Sequence, residues 1–306
     1  MCSLFGFVDY EHQLSRKQRH RLLTTLSIAC EERGTDATGI SYNHNGKQFI
    51  YKRPLPAHLM WYRVPAEAAI VMGHTRMTTQ GSPRHYWNNH PFEGTAGGTK
   101  FSLAHNGCVH NDRYLRRNLK LPNTKIETDS YIAVQLIEKY GKLDFEGLRY
   151  MAEELEGSFT ITALTEKDEL YFVKGNNPMC IYHYPDKGIY VYASTEEILR
   201  MAMLKAKLPL GKSEKIQILS GEILKIDDQG NITRSHFDDS KLYPTYFLPW
   251  MHWDDYATVR PYAGDSEYIR DLKTVAIRYG LFPEDIDALI RDGVDPMEIE
   301  ELLYCG

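Results

Sequence analysis

Met1-Cys2-Ser3-Leu4-Phe5-Gly6-Phe7-Val8 opens the chain with a short apolar run of strand type that begins almost at the first residue. A run of this kind, so early, puts the amino terminus inside the fold. Working outward, strand-like segments recur at Phe49–Lys52, Ala69–Gly73, Lys100–His105, Ser158–Leu164, Glu169–Val173, Ile181–Tyr184, Ile189–Ala193, Lys215–Leu219 and Glu222–Ile226. Helical spacing of apolar residues marks Ser15–Glu32, Asp129–Tyr140, Asp144–Glu156 and Thr195–Ala206. Strands that come in runs, with few helices between them, favour antiparallel sheets and an α+β architecture over a doubly wound parallel one. Asp228-Gln229-Gly230-Asn231 marks a late hairpin turn.

The character changes after about His236. Tyr243, Tyr246, Phe247, Trp250, Trp253, Tyr256 and Tyr262 crowd one stretch, and three short helical patterns follow at Ser266–Tyr279, Pro283–Asp292 and Pro296–Tyr304. Proline opens the last two, and Gly280 and Gly293 stand where the first two would end. The expected organisation is a main domain over 1–235, an aromatic linker over 236–261 and a small helical appendage over 262–306. Helices this short are marginal alone. Their apolar faces (Ile269, Leu272, Val275 and Ala276; Ile286, Leu289 and Ile290; Ile299, Leu302 and Leu303) must bury against one another, the main domain or a partner.

Composition narrows the function. The 306 residues are 42% apolar and 25% charged, values ordinary for a folded domain, and 36 Lys and Arg against 41 Asp and Glu leave a net charge of −5. This balance argues against a nucleic-acid or anionic-membrane binder, and the basic run from Arg16 to Arg21 reads as a solvated helix face. Five scattered cysteines without a C-x-x-C pair argue against a disulfide framework or structural zinc. No apolar run approaches the ~20 residues of a membrane helix. A reducing, cytoplasmic setting is expected.

Cys2 directly after Met1 carries chemistry of its own. Removal of Met1 would leave a thiol beside a free α-amine, and with an amine pKa near ~7.7–8.0 and a thiol near ~8.5, one residue supplies both nucleophile and base. The other reading of an early cysteine is a small buried hydrophobe.

Further segments decide between these readings. They are Arg33-Gly34-Thr35-Asp36-Ala37-Thr38-Gly39-Ile40, Gly73-His74-Thr75-Arg76-Met77-Thr78-Thr79-Gln80-Gly81, His90-Pro91-Phe92, Ala104-His105-Asn106-Gly107 and Glu127-Thr128-Asp129-Ser130. With Met1-Cys2-Ser3-Leu4-Phe5-Gly6 they resemble, in order, the motifs of a class II glutamine amidotransferase of the N-terminal-nucleophile hydrolase superfamily, over roughly residues 2 to 235. The resemblance implies a four-layer αββα sandwich of two antiparallel sheets. It also implies a Cys2 nucleophile that forms a γ-glutamyl thioester, and an oxyanion hole from the Asn106 side chain and the Gly107 N–H.

Glutamine is a zwitterion, so its site needs a cation, an anion and oxyanion donors. Arg76 offers a planar fork to the α-carboxylate, Thr79 an added hydroxyl or backbone contact, and Asp129 an anion for the α-ammonium. Read without the resemblance, Arg76 is a surface ion-pair partner, Asp129 a helix cap and Asn106-Gly107 a tight hairpin turn. His74, His90 and His105 fit no zinc spacing and read as structural, and the resemblance implies neither metal nor cofactor. Cys108 reads as a strand residue. Ser3 stands where the family has glycine, and Met77 and Gln80 where its sugar-synthase branch has Trp and His.

The chain has no G-x-x-x-x-G-K-[ST] loop and no S-G-G-x-D-S motif with which to activate an acceptor. The expected function is therefore hydrolysis of the L-glutamine amide, with ammonia passing to a separate synthase partner. The alternatives are a self-contained γ-glutamyl amide hydrolase and a catalytically silent binding or regulatory module.

Overall fold

The computed structural model describes residues 2–242, 267–278 and 281–305. Thirteen strands are present among them: β1 (Ser3–Asp9), β2 (Ala37–His44), β3 (Lys47–Arg53), β4 (Ile70–Arg76), β5 (Phe92–Ala96), β6 (Thr99–Val109), β7 (Gly157–Thr165), β8 (Leu170–Lys174), β9 (Cys180–Tyr184), β10 (Ile189–Ala193), β11 (Glu214–Ile216), β12 (Glu222–Ile226) and β13 (Ile232–His236). They form a seven-stranded sheet in the order β11-β9-β10-β1-β4-β2-β3 and a six-stranded sheet in the order β13-β12-β8-β7-β6-β5. Neighbours pair antiparallel throughout.

The helices are α1 (Arg16–Ala29), α2 (Asp112–Asn118), α3 (Tyr131–Tyr140), α4 (Phe145–Glu154), α5 (Glu196–Ala206), α6 (Glu267–Arg278), α7 (Pro283–Arg291) and α8 (Pro296–Cys305). Residue parity in β1 sets the layers. Leu4 and Val8 face the second sheet, among Ala104, Leu164, Phe172 and Leu224. Phe5 and Phe7 face the other way, onto Leu22, Leu23 and Leu26 of α1 and Ile198, Leu199 and Ala202 of α5. Phe101, Leu103, Phe159 and Ile161 of the second sheet pack outward on α3 and α4. The result is α-β-β-α, as expected. Each fully buried Leu or Phe in these layers contributes about 1.5–3 kcal/mol.

Local signals place the helices. Ser15 caps α1 in a capping box with Gln18, and Asp144 and Thr195 cap α4 and α5 by accepting from Gly147 N and Ile198 N. The solvated face expected of Arg16 to Arg21 needs one correction: Arg19 is buried and pairs with the buried Asp9 of β1 at 2.7 Å. A guanidinium inside the fold is tolerable only with such a partner.

Packing of the six-stranded sheet continues past its last strand through Phe237 and Leu242. The aromatic stretch from Tyr243 to Tyr262, and Gly280, lie outside the described residues. In the appendage Leu272, Ala276, Ile286, Ile299 and Leu303 bury against one another, while Leu302 is exposed. Most of the apolar face that could have met a partner is thus used internally. Among the described residues no helix is long and apolar enough to cross a membrane.

Candidate active site

Antiparallel register builds the first half of the site. Ser3 lies opposite Thr75, so one step further along the two strands Cys2 comes across from Arg76. The Cys2 thiol donates to the Met77 carbonyl at 3.4 Å, and its carbonyl accepts from Arg33 Nε at 3.0 Å. Burial pushes the thiol above its ordinary pKa, against the pull of the Arg76 charge.

The turn holding Arg33 closes tightly on the same strand end. A side chain at Gly34 would put its Cβ 2.5 Å from the Arg76 carbonyl carbon, which only glycine avoids. Asp36 N donates to Arg76 O at 2.9 Å, and the Asp36 carboxylate accepts from Thr78 N at 2.8 Å. The segment following Arg76 is held by these contacts.

Arg76 itself is buried. Nη1 donates to Asn89 Oδ1 at 2.6 Å, and Nη2 to the carbonyls of Gln80 and Gly81 at 2.5 and 2.9 Å. It is therefore an internal fork under a folded-over loop and not a surface ion-pair partner. Thr79, on that loop, is exposed, and no hydrogen bond joins it to Arg76. Lys52 reaches the Asn89 and Pro91 carbonyls at 2.6 and 2.9 Å, and burial lowers its pKa to about 8.

The second sheet supplies the other half. Asn106 and Gly107 sit inside β6, opposite Thr160 and Phe159 of β7, so the hairpin-turn reading of this dipeptide is corrected. An Asn-Gly pair makes a turn only where the chain reverses, and here the ladder runs on to Val109. Gly107 has φ +142, and a Cβ there would lie 2.1 Å from Ser158 O. The Asn106 amide is fully buried, and neither its Oδ1 nor its Nδ2 has a hydrogen-bond partner among the described residues. Its backbone carbonyl accepts from Asn177 Nδ2 at 2.8 Å. An orphaned buried amide is costly to keep in a folded protein, so its presence calls for a reason.

Asp129 is buried just before α3. It accepts from Val109 N at 2.7 Å and from the Ser130 hydroxyl at 3.3 Å. Ser130, not Asp129, occupies the cap position of α3. Asp129 acts electrostatically on both Cys2 and Arg76.

His74, His90 and His105 are buried together, with the His74 and His90 ring centroids 4.1 Å apart. Burial lowers the His74 pKa to about 3 and pulls the other two below the ordinary value, so all three rings are neutral. His74 and His105 hydrogen-bond to the His105 carbonyl and the Ser130 hydroxyl, and so tie the sheets and α3 together. Among the described residues no group of three His, Cys, Asp or Glu side chains is arranged to hold a metal. Cys108 is a strand residue of β6, as read from the sequence.

Sequence reasoning placed Arg33 within a motif but assigned it no part in the site. Its Nη1 and Nη2 pair with the Glu300 carboxylate of α8 at 2.5 and 2.6 Å, and both residues are buried. Burial works against the Arg33 charge, but Glu300 more than offsets it and the pKa lies above the ordinary range. Nothing in the local sequence around either residue announces this pairing.

Residues 74–201 match the model of a glutamine amidotransferase domain. The chain is 29% identical over 241 residues to glutamine–fructose-6-phosphate aminotransferase (isomerizing) of Geobacillus kaustophilus, covering 76% of this chain and 37% of the relative. The Sulfolobus acidocaldarius enzyme of the same name is 30% identical over 190 residues, 59% of this chain and 31% of its own. The chain therefore spans well under half the length of these curated relatives. Among solved structures, glutamine phosphoribosylpyrophosphate amidotransferase from B. subtilis superposes with a TM-score of 0.61 at 20% identity, over 78% of this chain and 49% of that one. At that identity the likeness shows the fold, and it agrees with the α-β-β-α layering.

Proposed function

We propose, on the premise that the chain carries a class II glutamine amidotransferase domain, that Cys2 cleaves the side-chain amide of L-glutamine after Met1 is removed. The observation that carries the reading is the convergence of a thiol, a buried fork and a buried carboxylate at Cys2, Arg76 and Asp129, together with the unpartnered Asn106 amide.

In this reading the free α-amine takes the Cys2 proton, and the thiolate attacks the amide carbon of the substrate. The oxygen that gains charge is met by the Asn106 Nδ2 and the Gly107 N–H, donors fixed before the reaction begins. The carbon–nitrogen bond breaks, the α-ammonium returns its proton to the leaving nitrogen, and ammonia departs. A γ-glutamyl thioester remains on Cys2. Water, deprotonated by the same amine, attacks that carbonyl, and the carbon–sulfur bond breaks to give glutamate and the free thiol. Arg76 and Asp129 hold the carboxylate and ammonium of the amino acid, and Thr79 adds a contact once the loop rearranges around substrate.

We assign the ammonia to a separate acceptor or synthase, since these 306 residues carry no recognisable motif for activating one. The division into a domain over 1–235, a linker and a helical appendage goes with that assignment. A reducing, cytoplasmic setting suits a nucleophilic thiol.

The test pairs intact mass of the amino terminus with labelling by 6-diazo-5-oxo-L-norleucine, a reactive glutamine analogue. Label on Cys2 alone, lost in Cys2→Ala, is expected. Labelling that survives Cys2→Ala unchanged would overturn the assignment.

A further inference from the structure

We propose that Glu300, carried by the C-terminal helix α8, is a positioning residue of the active site, acting through Arg33 on the backbone of Cys2. The proposal rests on the glutaminase reading above and extends the working site into the appendage.

The argument starts from geometry. Arg33 uses all three of its nitrogens in two directions: Nε donates to Cys2 O at 3.0 Å, while Nη1 and Nη2 grip both carboxylate oxygens of Glu300 at 2.5 and 2.6 Å. A guanidinium is planar, so fixing its two outer nitrogens fixes where the third one points. Glu300 is held in turn by the Tyr268 hydroxyl of α6, and the Tyr268 ring lies 5.8 Å from the Arg33 Cζ. Arg33 and Glu300 are at most 2% exposed, so water does not substitute for either partner. The helix bearing Glu300 also packs on β6, the strand of Asn106 and Gly107. One carboxylate from the appendage thus sets the backbone of the nucleophile and belongs to an element touching the oxyanion strand.

A purely structural ion pair would be replaceable. Buried pairs are often exchanged for apolar residues with little loss of stability, whereas a donor to the Cys2 carbonyl has no apolar substitute. Displacement of a reacting group by about 1 Å costs on the order of 10²-fold in rate. Charge adds a second signature. Around the Cys2 thiol stand Arg76 and Asp129, and Arg33 faces Glu300, Tyr268 and Cys2. Neutralising Glu300 leaves an unbalanced cation hydrogen-bonded to the very residue that carries the reacting amine and thiol.

The experiment compares full-length wild type, Glu300→Gln, Glu300→Asp and the double variant Arg33→Met/Glu300→Leu. Readouts are kcat and KM for glutamate release, their pH profiles, and the rate of Cys2 labelling by 6-diazo-5-oxo-L-norleucine. Glu300→Gln is expected to lower kcat about 10- to 100-fold with KM within about 3-fold. The acidic limb of kcat/KM should move to lower pH by about half a unit or more, because the unbalanced cation favours the deprotonated forms. Glu300→Asp, which keeps the charge with a shorter reach, should fall between wild type and Gln.

The double variant removes both charges and should fold, yet stay slow. A folded Glu300→Gln or double variant with wild-type kcat and pH profile overturns the proposal. If neither folds, Glu300→Asp decides, and its indistinguishability from wild type also overturns it. Wild type that takes no label at Cys2 defeats the glutaminase reading itself, and the positioning role falls with it. Wild type that labels while the variants match it defeats the positioning role alone.

Discussion

Arg76 Nη2 donates to the carbonyl of Gly81, five residues ahead on the same chain, at 2.9 Å. The cation that would receive a substrate carboxylate is thus already occupied by its own loop, and the neighbouring Gln80 carbonyl shares the same nitrogen. Binding an amino acid there means exchanging neutral carbonyl acceptors for a carboxylate, which makes a shorter and stronger bond.

From this follows the behaviour of Arg76→Lys. An ammonium cannot serve Asn89 and a substrate carboxylate with parallel bonds, and the loop loses part of its anchor. Breaking one partner of a desolvated charge pair costs about 2–5 kcal/mol, so KM for glutamine should rise at least as clearly as kcat falls. Steady-state glutamate release measures both, and a wild-type KM in this variant would count against the pocket.

Asn106→Ala separates catalysis from stability. The side-chain amide has no partner among the described residues to lose, so its removal should leave the melting temperature unchanged or raise it. Loss of an oxyanion donor should meanwhile lower kcat by about 10²–10³-fold with little change in KM. A variant that melts earlier and retains its rate would assign the amide a structural part.

Acid should destabilise the fold through His74, His90 and His105. Their folded-state pKa values are depressed by burial, that of His74 to about 3, while an unfolded histidine titrates near ~6.5. Below that value the unfolded chain binds protons that the folded chain refuses, so stability is full above about pH 6.5 and declines as pH falls toward the folded values. Each such histidine adds up to about 1.4 kcal/mol per pH unit to the slope. Urea melts at pH 7.0, 5.5 and 4.5 test this, and His90→Phe should flatten the dependence.

Much of the architecture was legible because it rests on local periodicity. The short apolar run Leu4-Phe5-Gly6-Phe7-Val8 marked a strand, which the structure buries on both faces, and the spacing of Leu22, Leu23 and Leu26 marked α1. Cys2 comes across from Arg76 because the β1–β4 register continues to them, and Asp129 acts on both from just before α3. Less legible were β2, whose composition is mixed, and β5 and α2, which are only five and seven residues long. Asn106-Gly107 misled because a turn signal is local while the β6–β7 ladder is not. The pairing of Arg33 with Glu300 spans 267 positions and leaves no trace in either neighbourhood.

The two sheets are open, and among the described residues that leaves four unpaired margins, β3, β11, β5 and β13, at which a foreign strand could add. Each is guarded differently. Lys47 and Arg53 stand exposed on β3, β11 is three residues long with an exposed Glu214, and Arg234 and His236 are exposed on β13. On β5 the margin is sealed from the side: the Glu138 carboxylate of α3 accepts from Thr95 N at 3.0 Å, taking a donor that a neighbouring molecule would need. Charge, brevity and a capped donor are the ordinary defences against edge-to-edge aggregation. Such edges work against the addition of a foreign strand, and Glu138→Ala is the change that would open the least charged margin.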